Sequence, residues 1–374
     1  MRAAPKILYL VHDLNDAAVG KRLRMLRDGG AEASLAGFHR GPVPRATAGI
    51  ESTSLGQTFD GALRQRAMAV LGQVLRPWRL MALARGADAV MARNLEMLLL
   101  ARVALLGQGR SKPLTYECLD IHRSLLGTSV GSRLLRLLEG GLLRRVDRVI
   151  VSSPAFASEY FARQGASPAP MLIENKVYAP DAALPAPVAP PPGPPWRIGW
   201  FGMIRCRRSL ALLSRLAEAL PGRVEVEIRG RPSSAEFEDF AALTAAMPGV
   251  TFLGPYDSAA LASHYDGVHF VWGLDFFEAG LNSRWLLPNR LYEGGARNRP
   301  VIAQAEVETG RWLAQRGCGV LLDDVEGDLR RFFQGLTVEA YADLIRRCEG
   351  VPRRDLTADI GDSRDLVERL AARA

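Results

Sequence analysis

An α/β protein in two units, each a parallel sheet covered on both faces by helices, is what this sequence predicts. Three observations carry that reading. Short apolar runs without polar alternation recur between helical periods, as strands buried on both faces require. The length of 374 residues exceeds what one ordinary core holds and suits two domains of about 150–200 residues. Residues 180–195 interrupt the alternation with eight prolines in sixteen positions, a density that favours an extended spacer and excludes a helix or central strand.

The elements follow in order. Before the break, strands are expected at 7–11, 33–37, 89–91, 114–117 and 149–151, each a short apolar run. Helical periods fall at 19–28, 97–106, 134–143 and 154–163, the first opened by Asp16 as an N-cap. After the break, strands are expected at 197–201, 224–230, 251–253, 268–272, 300–303 and 319–322. Helices are expected at 209–219, 237–246, 258–264, 288–296 and 309–315. The domains are then 1–179, a proline-rich linker 180–195, and 196–350, with 351–374 a helical segment packing back on the first domain. Two Rossmann-like domains with parallel sheets facing across a cleft are expected. Ligands of open α/β sheets bind beyond the carboxyl ends of the strands, which makes that cleft the expected site.

Composition narrows the function. With 48% hydrophobic and 24% charged residues, the chain reads as soluble and globular. The start, MRAAPKILYLV, runs straight into a strand without a signal-peptide cleavage site. No run of 18 uncharged apolar residues occurs, and Arg102 interrupts the best stretch, 97–107. Cys118, Cys206, Cys318 and Cys348 form no CxxC pair, which fits a reducing cytoplasm.

Charge is unevenly placed. Residues 1–190 hold 25 Lys and Arg against 15 Asp and Glu, a net of +10, while the remainder stands at −2. Segments 62–85 and 132–148 interleave arginine with Leu, Val, Met and Trp78. Basic amphipathic helices of this kind lie in the interface of anionic bilayers, at roughly 1 kcal/mol per basic residue near the surface. Nucleic acid is not favoured, because aromatic–basic interleaving, a helix-turn-helix and a zinc finger are all missing from the pattern.

Residues 285–303, WLLPNRLYEGGARNRPVIA, carry the most chemistry. They read as Pro288-Asn289-Arg290, a helix with Glu293 in its first turn at the positive end of the helix dipole, a glycine-rich turn and a short strand. The string resembles the P-x-K-x-x-E-x-x-A-x-G-x-P-V element of nucleotide-sugar-dependent glycosyltransferases with the GT-B fold, above all the retaining family 4. The resemblance implies that Glu293 holds the donor ribose. It puts Asn289, Arg290 and Leu291 near the diphosphate.

Other segments extend it. Residues 198–205, IGWFGMIR, followed by Arg207 and Arg208, are similar to the G-x-(hydrophobic)-x-x-x-K-G loop of that family. Gly202 lets a phosphate approach the backbone, and Arg205, Arg207 and Arg208 are alternatives for neutralising the leaving diphosphate. Arg229-Gly230 resembles the turn near the donor base, and Tyr256 lies in the segment flanking that base. His264 reads as a surface helix residue. Asp275, Asn282 and Ser283 occupy the slot that contacts the donor sugar.

In the first half, residues 116–123, YECLDIHR, resemble the Y-D-x-H-E segment on the acceptor side, with Asp120 or His122 as base or acceptor orienter. Asp16, Gly20, Arg93 and Asn94 end strands or open helices on the same edge. With neither H-x-x-x-H nor Asp-x-Asp at a strand end, no metal and no cofactor are expected. Arginines and a helix N-terminus then stabilise the leaving group.

The resemblance thus implies a hexosyltransferase that retains anomeric configuration, and the motifs lead to the expectation that it is metal-independent. It would move a sugar from a nucleotide donor, UDP favoured, to a lipid-linked or polysaccharide-precursor acceptor. The expected location is cytoplasmic, peripheral to the inner membrane face through the basic first domain. The rival readings are a nucleotide-sugar 2-epimerase on the same fold and a catalytically degenerate GT-B protein that binds nucleotide sugar or a partner enzyme.

Overall fold

The structure is a computed structural model that describes residues 3–59, 62–108, 112–165, 168–181 and 184–372. The chain divides into two compact units. The first comprises Met1–Glu174, Tyr178–Ala182 and Ala358–Ala374, and the second Asn175–Val177 and Ala183–Thr357.

The strands of the first unit are β1 (Lys6–Val11), β2 (Glu32–His39), β3 (Ala46–Thr47), β4 (Ile50–Gln57), β5 (Ala89–Arg93), β6 (Leu114–Cys118), β7 (Arg148–Val151) and β8 (Met171–Leu172). They form one sheet in the order β3-β4-β2-β1-β5-β6-β7-β8, parallel at every pairing except β3 with β4. β5 and β6 are buried along their whole length, as central parallel strands are. The edge strands β3 and β4 fall where the sequence suggests none. Glu51, Ser52, Thr53 and Ser54 give β4 no apolar run, because it lies largely outside the core.

The helices of this unit are α1 (Ala17–Asp28), α2 (Leu63–Val74), α3 (Pro77–Arg85), α4 (Leu95–Ala104), α5 (Arg123–Leu126) and α6 (Val130–Leu143). Pro77 at the first turn of α3 ends α2 and starts a new helix, so residues 62–85 form two helices rather than one. Where a helix is expected at 154–163, the chain makes a π-helical turn, Phe156–Phe161, running into a 3₁₀ turn, Ala162–Gln164.

Short β9 (Val177–Tyr178) pairs with β16 (Thr357–Ala358). The second unit contains β10 (Trp196–Ile204), β11 (Val224–Pro232), β12 (Val250–Phe252), β13 (Phe270–Trp272), β14 (Val301–Gln304) and β15 (Val320–Leu322). All are parallel, in the order β12-β11-β10-β13-β14-β15. Its helices are α7 (Arg207–Ala219), α8 (Phe240–Ala245), α9 (Leu261–Asp266), α10 (Asn289–Gly295), α11 (Glu308–Arg316), α12 (Val325–Gly335), α13 (Val338–Glu349) and α14 (Arg353–Leu356). One core, built on Trp196, Trp200 and Phe270, lies against α7 and α12; the other gathers Phe201, Tyr265, Leu291 and Trp312.

The last helix, α15 (Ile360–Ala371), belongs to the first unit. A capping box between Asp359 and Asp362 starts it, and Leu366, Val367 and Leu370 enter the core that α1 lines. Gly29 marks the approach, since a Cβ there would stand 2.3 Å from the Ser363 carbonyl oxygen.

The proline-rich segment is not a free spacer. The Arg297 guanidinium donates to the carbonyls of Pro185 and Ala186, Arg299 donates to that of Val188, and Asp266 accepts from the Val188 N–H. Proline-rich chain lacks N–H donors but keeps its carbonyls, so two buried arginines of the second unit hold it by those.

His269 completes the grip. Its Nδ1 accepts from the Arg197 N–H at 3.0 Å, which leaves the proton on Nε2 for the Pro191 carbonyl at 2.7 Å. Burial pushes this imidazole down to about 4, against the upward pull of the Pro191 carbonyl. A folded pKa below the unfolded value means the unfolded chain takes up the proton first. The stability this group contributes is therefore complete above about 6.5 and is lost as pH falls towards 4, by about 2–3 kcal/mol. Thermal midpoints measured between pH 7 and 4.5 are expected to fall for this protein and to fall less for His269→Asn. Parallel slopes would refute the assignment.

Among the described residues the four cysteines are free and buried, and no helix is long and apolar enough to cross a membrane.

Candidate functional site

Two clusters sit at the carboxyl ends of strands, one in each unit. In the second unit, β10 and β11 run in register with Gly202 opposite Gly230. The φ of Gly230 is +142°, and a Cβ there would come within 1.7 Å of the Gly202 carbonyl oxygen. Only glycine permits this approach, so the two strands end as bare backbone.

Beside it lies an aromatic cluster. The Phe201 ring meets Tyr265 edge-on at 4.9 Å and Tyr256 and His264 at 6.4 Å. His264, which reads as a surface residue in sequence, thus faces this cluster, and burial lowers its pKa, helped by Arg229. Arg229 is itself tied to Glu227 at 2.6 Å.

Tyr265, wholly buried on α9, donates its hydroxyl to Glu293 Oε2 at 2.9 Å. Burial raises this phenol far above its ordinary value, with the Glu293 charge adding to it. Tyr256 is pushed up to about 12 by burial and then by Glu293, against Arg290. Both phenols therefore stay protonated as donors. The position of Glu293 departs from the expected one. Pro288 is the N-cap of α10, so Glu293 is the fifth helical residue and lies beyond the first turn. There its carboxylate has the Tyr265 hydroxyl as a side-chain partner.

Arg290 donates from Nη2 to the Leu274 carbonyl at 2.9 Å, while its Nε has no hydrogen-bond partner among the described residues. Burial lowers its pKa, and Asp275 is the largest opposing influence. Asp275 also pairs with Arg205 at 3.6 Å and accepts from the Phe277 N–H and the Ser283 hydroxyl. Arg205 lies over the Phe277 ring, and Arg208 over Phe276 at 4.3 Å. Arginine stacked on an aromatic face keeps its outer N–H groups for an anion.

The expected set is thereby sorted. Arg205, Arg208, Arg290 and Asp275 share the 273–283 segment. Arg207 turns the other way, over Phe237 and towards Glu236 at 3.4 Å. Leu291 has no exposed side chain and fills the core beneath α10, so no side-chain contact to a ligand is open to it. Asn289 is exposed at the start of α10. Asn282 and Ser283 are buried, and the Ser283 hydroxyl accepts from the Glu278 N–H, which fits holding the loop in shape.

In the first unit the strand ends carry a buried ionic network. Glu117, wholly buried on β6, accepts from Arg22 Nε at 2.7 Å, Arg93 Nε at 3.0 Å and the Tyr9 hydroxyl. Burial pushes the Glu117 carboxyl up, but Arg93 and Arg22 outweigh it and hold it below its ordinary value. Arg93 donates onward to Asp16 at 3.0 Å, and Asp16 caps α1 through the Ala18 N–H. Arg93 is thus a structural link, 2% exposed. Asn94 follows it at φ +72°, ψ 164°, a conformation that costs a non-glycine residue of order 1–3 kcal/mol. His12 has Nδ1 without a partner among the described residues, and burial pushes it down to about 3 despite Asp16. Gly20 lies inside α1, where a Cβ would stand 3.6 Å from the Thr47 methyl, an ordinary contact.

Asp120 and His122 are both exposed just beyond β6. His122 Nδ1 accepts from the Ser124 N–H and caps α5. A backbone N–H only donates, so the neutral ring carries its proton on Nε2 and presents a donor there. The base role falls more naturally to Asp120.

Glu117, Arg22 and Tyr265 are missing from the sequence-derived set. The first two had a signal. Glu117 interrupts an apolar central strand, and Arg22 stands on the apolar stripe of α1 with Val19, Leu23 and Leu26. A charge in either place needs a buried partner.

Comparisons with known proteins give the family and the fold. Residues 17–175 match the family described as "Glycosyl transferase 4-like domain". The chain is 44% identical over 376 aligned positions to the succinoglycan biosynthesis protein ExoL of Rhizobium meliloti, covering 98% of this chain and 93% of that one. Among solved structures it resembles Anabaena Alr3699/HepE in complex with UDP-glucose, with a TM-score of 0.71 at 14% identity over 98% of both chains. It also resembles sucrose-phosphate synthase of Thermosynechococcus elongatus, with a TM-score of 0.63 at 15% identity over 98% of this chain and 94% of that one.

Proposed function

Since the chain belongs to the glycosyl transferase 4-like enzymes of GT-B fold, we propose that it transfers a sugar from UDP to a lipid-linked or polysaccharide-precursor acceptor at the cytoplasmic face of the membrane. The single observation that carries the donor half is Glu293, a half-buried carboxylate held by Tyr265 beside Tyr256 and Arg290. Such a group accepts hydrogen bonds from two neighbouring ribose hydroxyls in a fixed geometry.

The rest of the mechanism follows from charge. Transfer leaves a nucleoside diphosphate carrying new negative charge, which must be met by groups already in place. Arg290, with an unpartnered Nε, and Arg208, stacked on Phe276, supply it without a metal ion. Arg205 serves beside them, its charge shared with Asp275. Arg229 and Gly230 flank the base, with Tyr256, backed by Phe201, offering ring surface to it. In the first unit Asp120 takes the acceptor proton or orients its hydroxyl, with His122 donating from Nε2. Retention of the anomeric configuration is part of this proposal and is supported by the likeness to the glycosyl transferase 4-like family. The UDP preference draws on the UDP-glucose bound to the Anabaena relative, and the polysaccharide-precursor acceptor on the name of the Rhizobium one.

A panel of nucleotide sugars in EDTA, read by thermal shift and then by product formation, tests the whole reading. Stabilisation by UDP-sugars, with transfer that survives chelation, is expected. Arg208→Gln should lower kcat by about 10- to 100-fold, whereas Arg207→Gln should stay within about twofold. The reverse order would reassign the loop, and UDP binding without any turnover would make the protein a binder.

A further inference from the structure

We propose that α6, flanked by α2 and α3, is the face through which the first unit seats on an anionic lipid bilayer. The observation is that α6 is inside out. A helix on a sheet ordinarily buries its apolar stripe. Here Ser132 and Glu139 are buried, while Val130, Leu134 and Leu137 are 70%, 61% and 72% exposed.

The inversion is held by polar contacts. The Glu139 carboxylate accepts from the Tyr116 hydroxyl at 3.0 Å and from the Tyr160 hydroxyl at 2.5 Å, and Ser132 pairs with Ser129 at 2.9 Å. With its polar groups satisfied inside, the helix buries Leu143 at its end but turns Leu134, Leu137 and Leu138 outside. The outer stripe 130-134-137-138 follows helical spacing, so it is one continuous ridge.

α2 repeats the arrangement. Met68, Leu71 and Leu75 point outward, and Trp78 at the start of α3 is 62% exposed. α2, α3 and α6 all pack on the buried helix α4, which places both ridges on one side of the sheet.

Charge selects the occupant. Arg133, Arg144 and Arg145 are exposed around the α6 ridge, and Arg64, Arg76 and Arg79 around α2 and α3. Residues 121–146 contain one acid, the buried Glu139, and residues 62–87 contain none. Exposed leucines and an exposed tryptophan flanked by exposed arginines match a layer that is apolar within and anionic at its rim. This deepens the membrane-face reading above and rests on it for its purpose, but binding is measured without donor or acceptor.

Co-sedimentation of the full chain with vesicles of equimolar phosphatidylglycerol and phosphatidylcholine tests it, with pure phosphatidylcholine vesicles as the comparison. Binding is expected to the first and to weaken with salt. Leu134→Glu/Leu137→Glu should lower it by about tenfold or more, and Arg144→Gln/Arg145→Gln by about fivefold per charge. Both variants should keep the thermal shift given by UDP, which separates loss of docking from loss of fold. Equal binding to both vesicles, or an unaffected double glutamate variant, overturns the proposal. So does a concentration-dependent dimer abolished by the same substitutions, which would assign the ridge to a second copy. Loss of all transferase activity with vesicle binding intact would remove the functional reading and leave this surface standing.

Discussion

Replacing Glu293 by alanine is expected to lower kcat/KM by about 100- to 1000-fold. Each hydrogen bond to a charged acceptor contributes about 1.5–3 kcal/mol, and a ribose diol makes two. Part of the loss appears as weaker donor binding, because the ribose is held alike in ground and transition states. The remainder appears in kcat, through looser placement of the reacting carbon. Tyr265→Phe removes one hydrogen bond that orients the carboxylate, so a smaller loss of about five- to tenfold is expected. The two changes should not add. Once Glu293 is gone, Tyr265→Phe has nothing left to orient, and the double variant should match the single alanine. Steady-state kinetics with a UDP-sugar settle this. A Glu293→Ala enzyme within about fivefold of the parent would remove the carboxylate from the donor site.

The second large effect is on stability. Glu117→Ala leaves the guanidiniums of Arg22 and Arg93, whose side chains are 4% and 2% exposed, without their shared carboxylate. Removing one partner of a buried ion pair costs about 3–5 kcal/mol, and here one change takes the carboxylate from Arg22 and leaves Arg93 with Asp16 alone. The Tyr9 hydroxyl loses its acceptor as well. Five of the six tryptophans lie in the second unit, so fluorescence reports on that unit while circular dichroism reports on both. In urea, the dichroism transition is expected to split and move to lower denaturant as the fluorescence transition holds. A shift of less than about 1 kcal/mol would show that the network is better hydrated than its burial implies.

Much of the fold is legible in the chain because both sheets are parallel and covered on two faces. Runs such as Ile7-Leu8-Tyr9-Leu10-Val11 and Phe270-Val271-Trp272 suit a strand without water on either side. Edge strand β4 is illegible for the converse reason. It pairs at the rim, its side chains meet water, and Glu-Ser-Thr-Ser reads as loop. The helix that carries the candidate donor residues was legible too, because Pro288, Arg290 and Glu293 are close in sequence and one short helix begins at them.

Spacing along the chain could not decide which way the side chains face. Arg207 and Arg208 are neighbours, and the helix turn of about 100° between them sends one to Glu236 and the other to Phe276. His122 becomes a helix cap because Ser124 presents its N–H there. The proline-rich stretch is held on the second unit by Arg297 and Arg299, more than 100 residues away in sequence.

By itself, then, the sequence determined the two parallel sheets, the break between them and the residue types gathered at their carboxyl ends, since hydrophobic period and turn chemistry are local. Only the tertiary structure decided which face of α6 is inside. The spacing of leucines gives a stripe without saying whether it meets the sheet or the outside, and Tyr116 on β6 and Tyr160 beyond β7 offer Glu139 two hydroxyls. A satisfied carboxylate then takes the interior and the leucines are turned out, an outcome set by partners remote in sequence.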